Sequence, residues 1–394
     1  MYRKGFSTIA VVAAMFLTAP AFAQSGVQTV EYDDGGIYVG TFQDGERHGV
    51  GRYTLPNGYA YEGEWVNGVA EGRGVANFVN GSVYEGDFAN GEPDGIGRIE
   101  YADGATYEGA FVNGVSQGEG TATYPDGSTY TGEWADNERS GVGKYETPEG
   151  YSYEGEWEGD EPNGQGSATY ADGGTYVGGF RNDQRSGSGK FTAADGSTFE
   201  GEWRNGFING SGTVIYANGS VYTGEFSNGV PSGDGRMVYA DGTSYSGNWV
   251  DGQIGGEGEL RYTDGRIYIG AFENSAPNGQ GTMIFTDGST YEGEWQNGER
   301  TGQGSLTFPS GEIYEGTFVT GALDGKGKFT VPGKFVYEGQ FQRGQMIGVG
   351  KMTYENGSVY EGNFVNGVRQ GPGTFISPDG VVLRGRWSQG EFLE

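Results

Sequence analysis

From Tyr38 onward the chain repeats one pattern every 23 residues without an insertion: aromatic, any residue, glycine, any residue, aromatic. Sixteen copies run from Tyr38-Gly40-Phe42 through Tyr61-Glu62-Gly63-Glu64-Trp65 and Tyr130-Gly132-Trp134 to a degenerate last one, Leu383-Gly385-Trp387. A strict period of this size marks a supersecondary unit that becomes stable only by stacking on its neighbours. Composition taken alone points the other way, because 81 of 394 residues are glycine and the net charge is −29, a profile associated with disorder. Periodicity decides the matter, since a disordered chain has no reason to hold aromatics and glycines in one phase.

Numbering each unit from its first aromatic as zero puts glycine at +2 and Phe or Trp at +4. Alternate strand residues share a face, so Tyr61, Gly63 and Trp65 face one way while Glu62 and Glu64 face the other. One face is aromatic and the opposite one acidic. The glycine leaves an open floor over which a ring from the adjacent strand can lie. An Asn-Gly pair such as Asn67-Gly68 or Asn90-Gly91 then supplies turn chemistry. Gly-x-Gly follows at +11 and +13 in fifteen units, as in Gly72-Arg73-Gly74. No helical pattern comes after it, so a wide β-turn is expected there and not a phosphate loop.

A second strand is expected after Gly-x-Gly. Its aromatic stands at +17 in ten units (for example Phe78, Tyr101, Tyr124) and at +15 in the other five: Tyr53, Tyr145, Phe191, Phe329 and Phe375. A swap by two residues keeps the ring on the same face. The inter-unit segment Tyr124-Pro125-Asp126-Gly127-Ser128 suits a type I turn closed by a left-handed glycine. That three-residue loop pairs +17 with +21, and +15 with the next unit's aromatic, which places all rings on one face. A two-residue turn would split them.

These combined motifs closely resemble the MORN repeat, and the resemblance runs from about Val27 to Glu394. It implies an all-β fold, an elongated array of antiparallel β-hairpins forming an open twisted sheet with an aromatic groove. At about 4.8 Å per strand, sixteen hairpins would span on the order of 150 Å before twist. Family members usually carry His or Asp before Gly-x-Gly. Here His48 does so once, in a segment expected to be an exposed turn, and Asp94 and Asp324 are exceptions among mostly Ser, Asn and Gln. Lys334 stands where the inter-unit glycine belongs, one place after Gly333, so a bulge is expected there. The last unit, 383–394, carries Arg384 and Arg386 in place of acids and reads as a cap.

The first residues read as a targeting signal. A short basic segment with Arg3 and Lys4, an apolar run from Ile9 to Leu17 and Ala21-Phe22-Ala23 fit a secretory leader cut before Gln24. The division expected is a leader at 1–23, a lead-in at 24–31 and one array at 32–394. Export to the periplasm or the cell exterior follows. Loss of Arg3 and Lys4 with the leader takes the charge to −31, which repels nucleic acid and anionic membranes. One histidine and no cysteine leave no His/Cys metal cluster and few nucleophile pairs.

The expectation is therefore a protein with no enzymatic activity, no cofactor and no metal. It would be an exported scaffold or protein-protein interaction module, able to self-associate, that binds a partner through groove aromatics. Those, in a structural or a partner-binding role, are Tyr61, Trp65, Tyr84, Phe88, Tyr107, Phe111, Tyr130, Trp134, Tyr153, Trp157, Trp203, Tyr245, Trp249, Tyr291 and Trp295. An envelope glycan or peptidoglycan module is the alternative, and lipid binding ranks third. The acids at +1 and +3 are expected to keep the opposite face in water, partly offset by bases at +14 such as Arg52, Lys144 and Lys190.

Overall fold

The computed structural model describes residues 26–394; the expected leader at 1–23 lies outside the described residues. The described residues are all-β, with strands numbered in order from β1 (Gln28–Glu31) to β33 (Glu391–Phe392). It divides into two compact units, one up to Pro148 and one from Glu149, and each is built as a run of antiparallel hairpins.

In the first unit a typical repeat is β4 (Ala60–Val66) followed by β5 (Val69–Asn77). Asn67 and Gly68 join them with φ of 48° and 84°. This is a type I′ turn, whose twist matches that of the flanking strands. Between repeats, the Tyr124 N–H donates to the Ser128 carbonyl and the Gly127 N–H to the Tyr124 carbonyl, both at 2.9 Å. Pro125-Asp126-Gly127 is thus the three-residue loop that the parity argument required. Ala122 at +15 accordingly faces Tyr130.

Gly-x-Gly is not a turn. The second strand already begins at +8, straight after the Asn-Gly turn, and the motif lies in mid-strand. Gly63 pairs with Gly74 but Trp65 with Ala70, so Glu64 alone faces Glu71, Gly72 and Arg73. The first glycine's positive φ, 68° at Gly72, therefore serves a β-bulge. Lys334 corrects a second expectation. No register shift separates the strands on either side of it, Ala322–Val331 and Phe335–Gln342. The Lys334 N–H still donates to the Val331 carbonyl at 3.0 Å, and the positive φ has moved to Gly333, at 70°. With Pro332 ahead of it, the loop becomes a type II turn of unchanged length.

The motif's second glycine builds the core. Gly74 pairs on one side with Gly63 and on the other with Gly86, and in the second unit Gly258 pairs with Gly247 and Gly270. Each unit thus carries a row of glycines running across its strands. The tyrosine at zero lies over its own +2 and +13 glycines, where a β-carbon would meet the ring, and its hydroxyl donates to the +3 carbonyl, as Tyr61 does to Glu64 at 2.9 Å. The ring over the +2 glycine belongs to that glycine's own strand and not, as expected, to the adjacent one. Along the row, tyrosines and +4 rings alternate edge to face: Tyr61 sits 5.1 Å from Trp65 and 4.8 Å from Phe88. In the second unit Tyr291 does the same with Trp295 at 5.3 Å and Phe318 at 4.8 Å. Such pairs add about 0.5–1.5 kcal/mol beyond the burial of their area.

Candidate functional site

The rings expected to line an open groove form the core instead. Tyr61, Tyr84, Tyr130, Tyr153, Tyr245 and Tyr291 are fully buried, Tyr107 is nearly so, and Trp65, Phe88, Phe111, Trp134, Trp157, Trp203, Trp249 and Trp295 are at most 8% exposed. Burial pushes the Tyr84 and Tyr107 hydroxyls up to about 12. Position +9 closes the layer. The Arg47 guanidinium lies 4.2 Å from the Trp65 ring centroid and donates to the Gly68 carbonyl at 2.8 Å; Arg185 treats Trp203 and Gly206 likewise. Face-sharing was legible from the period of two. Collapse of each tyrosine onto two glycines was not, although the glycines at +2 and +13 were the signal for it.

Open clefts lie on the polar face. In the second unit a cleft of about 870 Å³ has Gly293, Gly304, Gly316, Gly327 and Gly339 in its lining, with Glu292, Glu294, Gln303, Glu315, Lys326, Lys328 and Glu338 around them. A similar one of about 910 Å³ includes Lys190, Glu200, Glu225 and Asp234, and a smaller one of about 460 Å³ in the first unit includes Arg52 and Glu62. The arrangement follows from the register: side chains at +1 and +14 form one bank, those at +3 and +12 the other, and the glycine row between them contributes only backbone. The banks are predominantly acidic. Lys328 is 3.3 Å from Glu315 and Lys190 is 3.9 Å from Glu200, exposed pairs that offset charge and add little stability.

Some of these acids have a structural task that the repeat pattern alone did not reveal. Glu156 accepts from the Gln165 N–H at 2.9 Å, Glu133 from Val142 at 3.1 Å and Glu294 from Gln303 at 3.1 Å. Each joins +3 to +12 and thereby satisfies a donor within the bulge. Position +10 is equally local, because its side-chain oxygen accepts the next turn's N–H, as Glu71 does from Asn90 and Asp94 from Asn113, both at 3.1 Å. This explains why Asp, Asn and Gln can replace one another there. His48, expected in an exposed turn, is half-buried within the strand Glu46–Thr54, with Nδ1 enclosed and lacking a hydrogen-bond partner.

A second set of rings, at +17, remains half-exposed: Tyr216, Tyr239, Tyr262, Phe285 and Phe308 recur at successive repeats of the second unit.

The MORN repeat model matches fifteen successive segments, from 38–58 and 61–83 to 337–359 and 360–382. The chain belongs to the MORN-repeat family. MORN repeats generally mediate protein or membrane interactions. The match ends before the sixteenth MORN unit, whose strand Val382–Ser388 nonetheless pairs in the register of the others. No curated protein matches the chain. Among solved structures, the SAS-4 TCP domain of Drosophila melanogaster is similar at 14% identity, covering 50% of this chain and 87% of that one, with a TM-score of 0.23. The TCP10 domain of Danio rerio CPAP aligns at 15% identity over 66% and 94%, TM-score 0.13, and virginiamycin B lyase from Staphylococcus aureus at 12% over 86% and 95%, TM-score 0.12.

Proposed function

We propose that this MORN array is an exported, non-catalytic scaffold that holds a protein partner along its polar face and associates with further copies of itself. The supporting observation is the glycine-lined cleft between Gln280 and Val349. It is an open surface on the face opposite the buried aromatic layer, and its bare backbone allows close approach of an extended segment. A photo-cross-linking residue at Gln303, inside the cleft, tests the reading in the native envelope against one at Val250, which is 59% exposed outside the cleft. Adducts from position 303 and none from 250 support it; equal labelling or none overturns it. Export is tested by the N-terminus of the purified protein, which should be Gln24.

The half-exposed rings at +17 favour glycan binding as the second reading. They recur once per two strands, about 9.6 Å apart, a spacing suited to stacking on successive units of a polysaccharide. Co-sedimentation with purified peptidoglycan, lost on changing Tyr239 and Phe285 to alanine, separates this reading from the first. Binding of anionic lipid opposes the charge of the chain, and vesicles at low salt test it.

A further inference from the structure

Four of the arginines at +9 stand beside two partly exposed rings, the +17 ring of the preceding repeat and the +15 ring of their own. In three of these places the rings touch: Tyr32 and Tyr53 at 6.1 Å beside Arg47, Tyr124 and Tyr145 at 6.4 Å beside Arg139, and Tyr170 and Phe191 at 6.1 Å beside Arg185. Arg47 lies 5.8 Å and 4.8 Å from its two rings, and Arg185 5.9 Å and 5.3 Å from its own. The fourth place, at Arg369, differs. Its guanidinium is 5.8 Å from Phe375, but among the described residues Tyr354 makes no ring contact with Phe375 and no cation–π contact with Arg369. The pair has parted, and a pocket of about 470 Å³ has Tyr354, Phe375 and Arg369 in its lining.

Two exceptions to the repeat meet at the same pocket. Position +20 is glycine in every inter-repeat loop but one, where it is Lys334; position +18 is Pro, Ala, Thr or Val in every full repeat but one, where it is Glu355. Both residues line the pocket, and the Glu355 N–H donates to the Lys334 carbonyl at 2.9 Å. Neither side chain forms an ion pair among the described residues. Arg369 donates one N–H to the Gly390 carbonyl at 2.6 Å, and its other N–H groups have no hydrogen-bond partner among those residues. The charge of the chain changes here as well. Residues 322–394 hold eight of the 24 lysines and arginines but only seven of the 53 acids, so the repulsion of anions by the rest of the array is absent from this stretch.

We infer that this pocket binds a carboxylate-bearing sugar unit of a glycan. Tyr354 and Phe375 offer apolar ring surface to the sugar's C–H face. Arg369 and Lys334 receive the carboxylate, the guanidinium through its planar fork. Glu355 and Asn356 remain to accept from and donate to the hydroxyls. Rings alone suit a neutral sugar and cations alone an inorganic anion; their combination selects a sugar acid. Tyr354 is also the next ring of the +17 row after Phe308, two repeats or about 19 Å further on, so one saccharide chain can stack on the row and enter the pocket.

This rests on the glycan reading and names the sugar that it would select. Calorimetric titration of the full chain with a galacturonic acid hexamer and with a galactose hexamer tests it. The acidic hexamer should bind about tenfold more tightly than the neutral one, with a difference that shrinks as salt is added. Lys334→Gly restores the repeat's own residue and should fold normally, which circular dichroism checks. It should weaken binding of the acidic hexamer about tenfold and leave the neutral one unchanged. Phe375→Ala, a residue that the repeat accepts at +15 in Ala76, Ala122 and Ala168, should weaken both. Equal affinity for the two hexamers, no binding of the acidic one, or an unimpaired Lys334→Gly overturns the inference. Peptidoglycan co-sedimentation that still depends on Tyr239 and Phe285 would then leave the glycan reading standing without the pocket. Acidic-hexamer binding that depends on Lys334, with no co-sedimentation, upholds the pocket and overturns the reading of the ring row.

Discussion

Tyr61 lies so close over Gly74 that a β-carbon on that glycine would stand 2.6 Å from the ring. The contact couples neighbouring strands, and Gly74→Ala would force the ring off its floor without straining φ. A loss of about 1–3 kcal/mol is expected, in the range of core overpacking. Thermal unfolding followed by tryptophan fluorescence reads it. Gly68→Ala is the control for a turn effect, since it strains φ but meets only the Glu46 carboxylate.

The acid at +3 is expected to stabilise its own bulge. Glu156→Ala removes the acceptor of the Gln165 N–H and should cost about 1 kcal/mol. Ala110 occupies the same position without a side-chain oxygen, so Ala110→Glu should gain a comparable amount. Hydrogen exchange at Gln165 and Glu119 localises both effects to the repeat concerned.

Arg47 ties one repeat to the next by stacking on Trp65 and donating to Gly68. Arg47→Met keeps the apolar stem and loses both interactions, an expected cost of about 1–2 kcal/mol. Urea denaturation should show a lower midpoint, and quenching of tryptophan fluorescence by acrylamide should increase as Trp65 opens.

Alkaline pH should unfold the array. Burial raises the hydroxyls of Tyr84, Tyr107 and Tyr314 from 10 to about 12. Their neutral form is therefore favoured in the fold, and this contribution is fully present below pH 10. Between pH 10 and 12 the unfolded chain ionises first, and stability falls with rising pH. Circular dichroism and tyrosinate absorbance should change together in this window, with no separate early titration of the buried rings.

The hairpin unit, its turns and the face shared by Tyr61, Gly63 and Trp65 were legible in the sequence because they follow from local chemistry and a period of two. The loop at Pro125 was legible too, since only one loop length keeps the rings together. Gly72 misled because positive φ serves a turn and a bulge equally well, and only the partner strand's register distinguishes them. Lys334 misled for a related reason: a type II turn absorbs the displaced glycine without changing loop length.

What the sequence determined by itself is the repeat, its two strands and the sidedness of its residues, all encoded within 23 positions. Only the tertiary structure decided which side stays open. Strand pairing brings the +2 and +13 glycines together, the tyrosine of each repeat falls onto that bare backbone, and the aromatic face closes as core. The polar face keeps open clefts between its two banks of side chains, a consequence of contacts between strands that no single copy of Tyr61-Glu62-Gly63-Glu64-Trp65 contains.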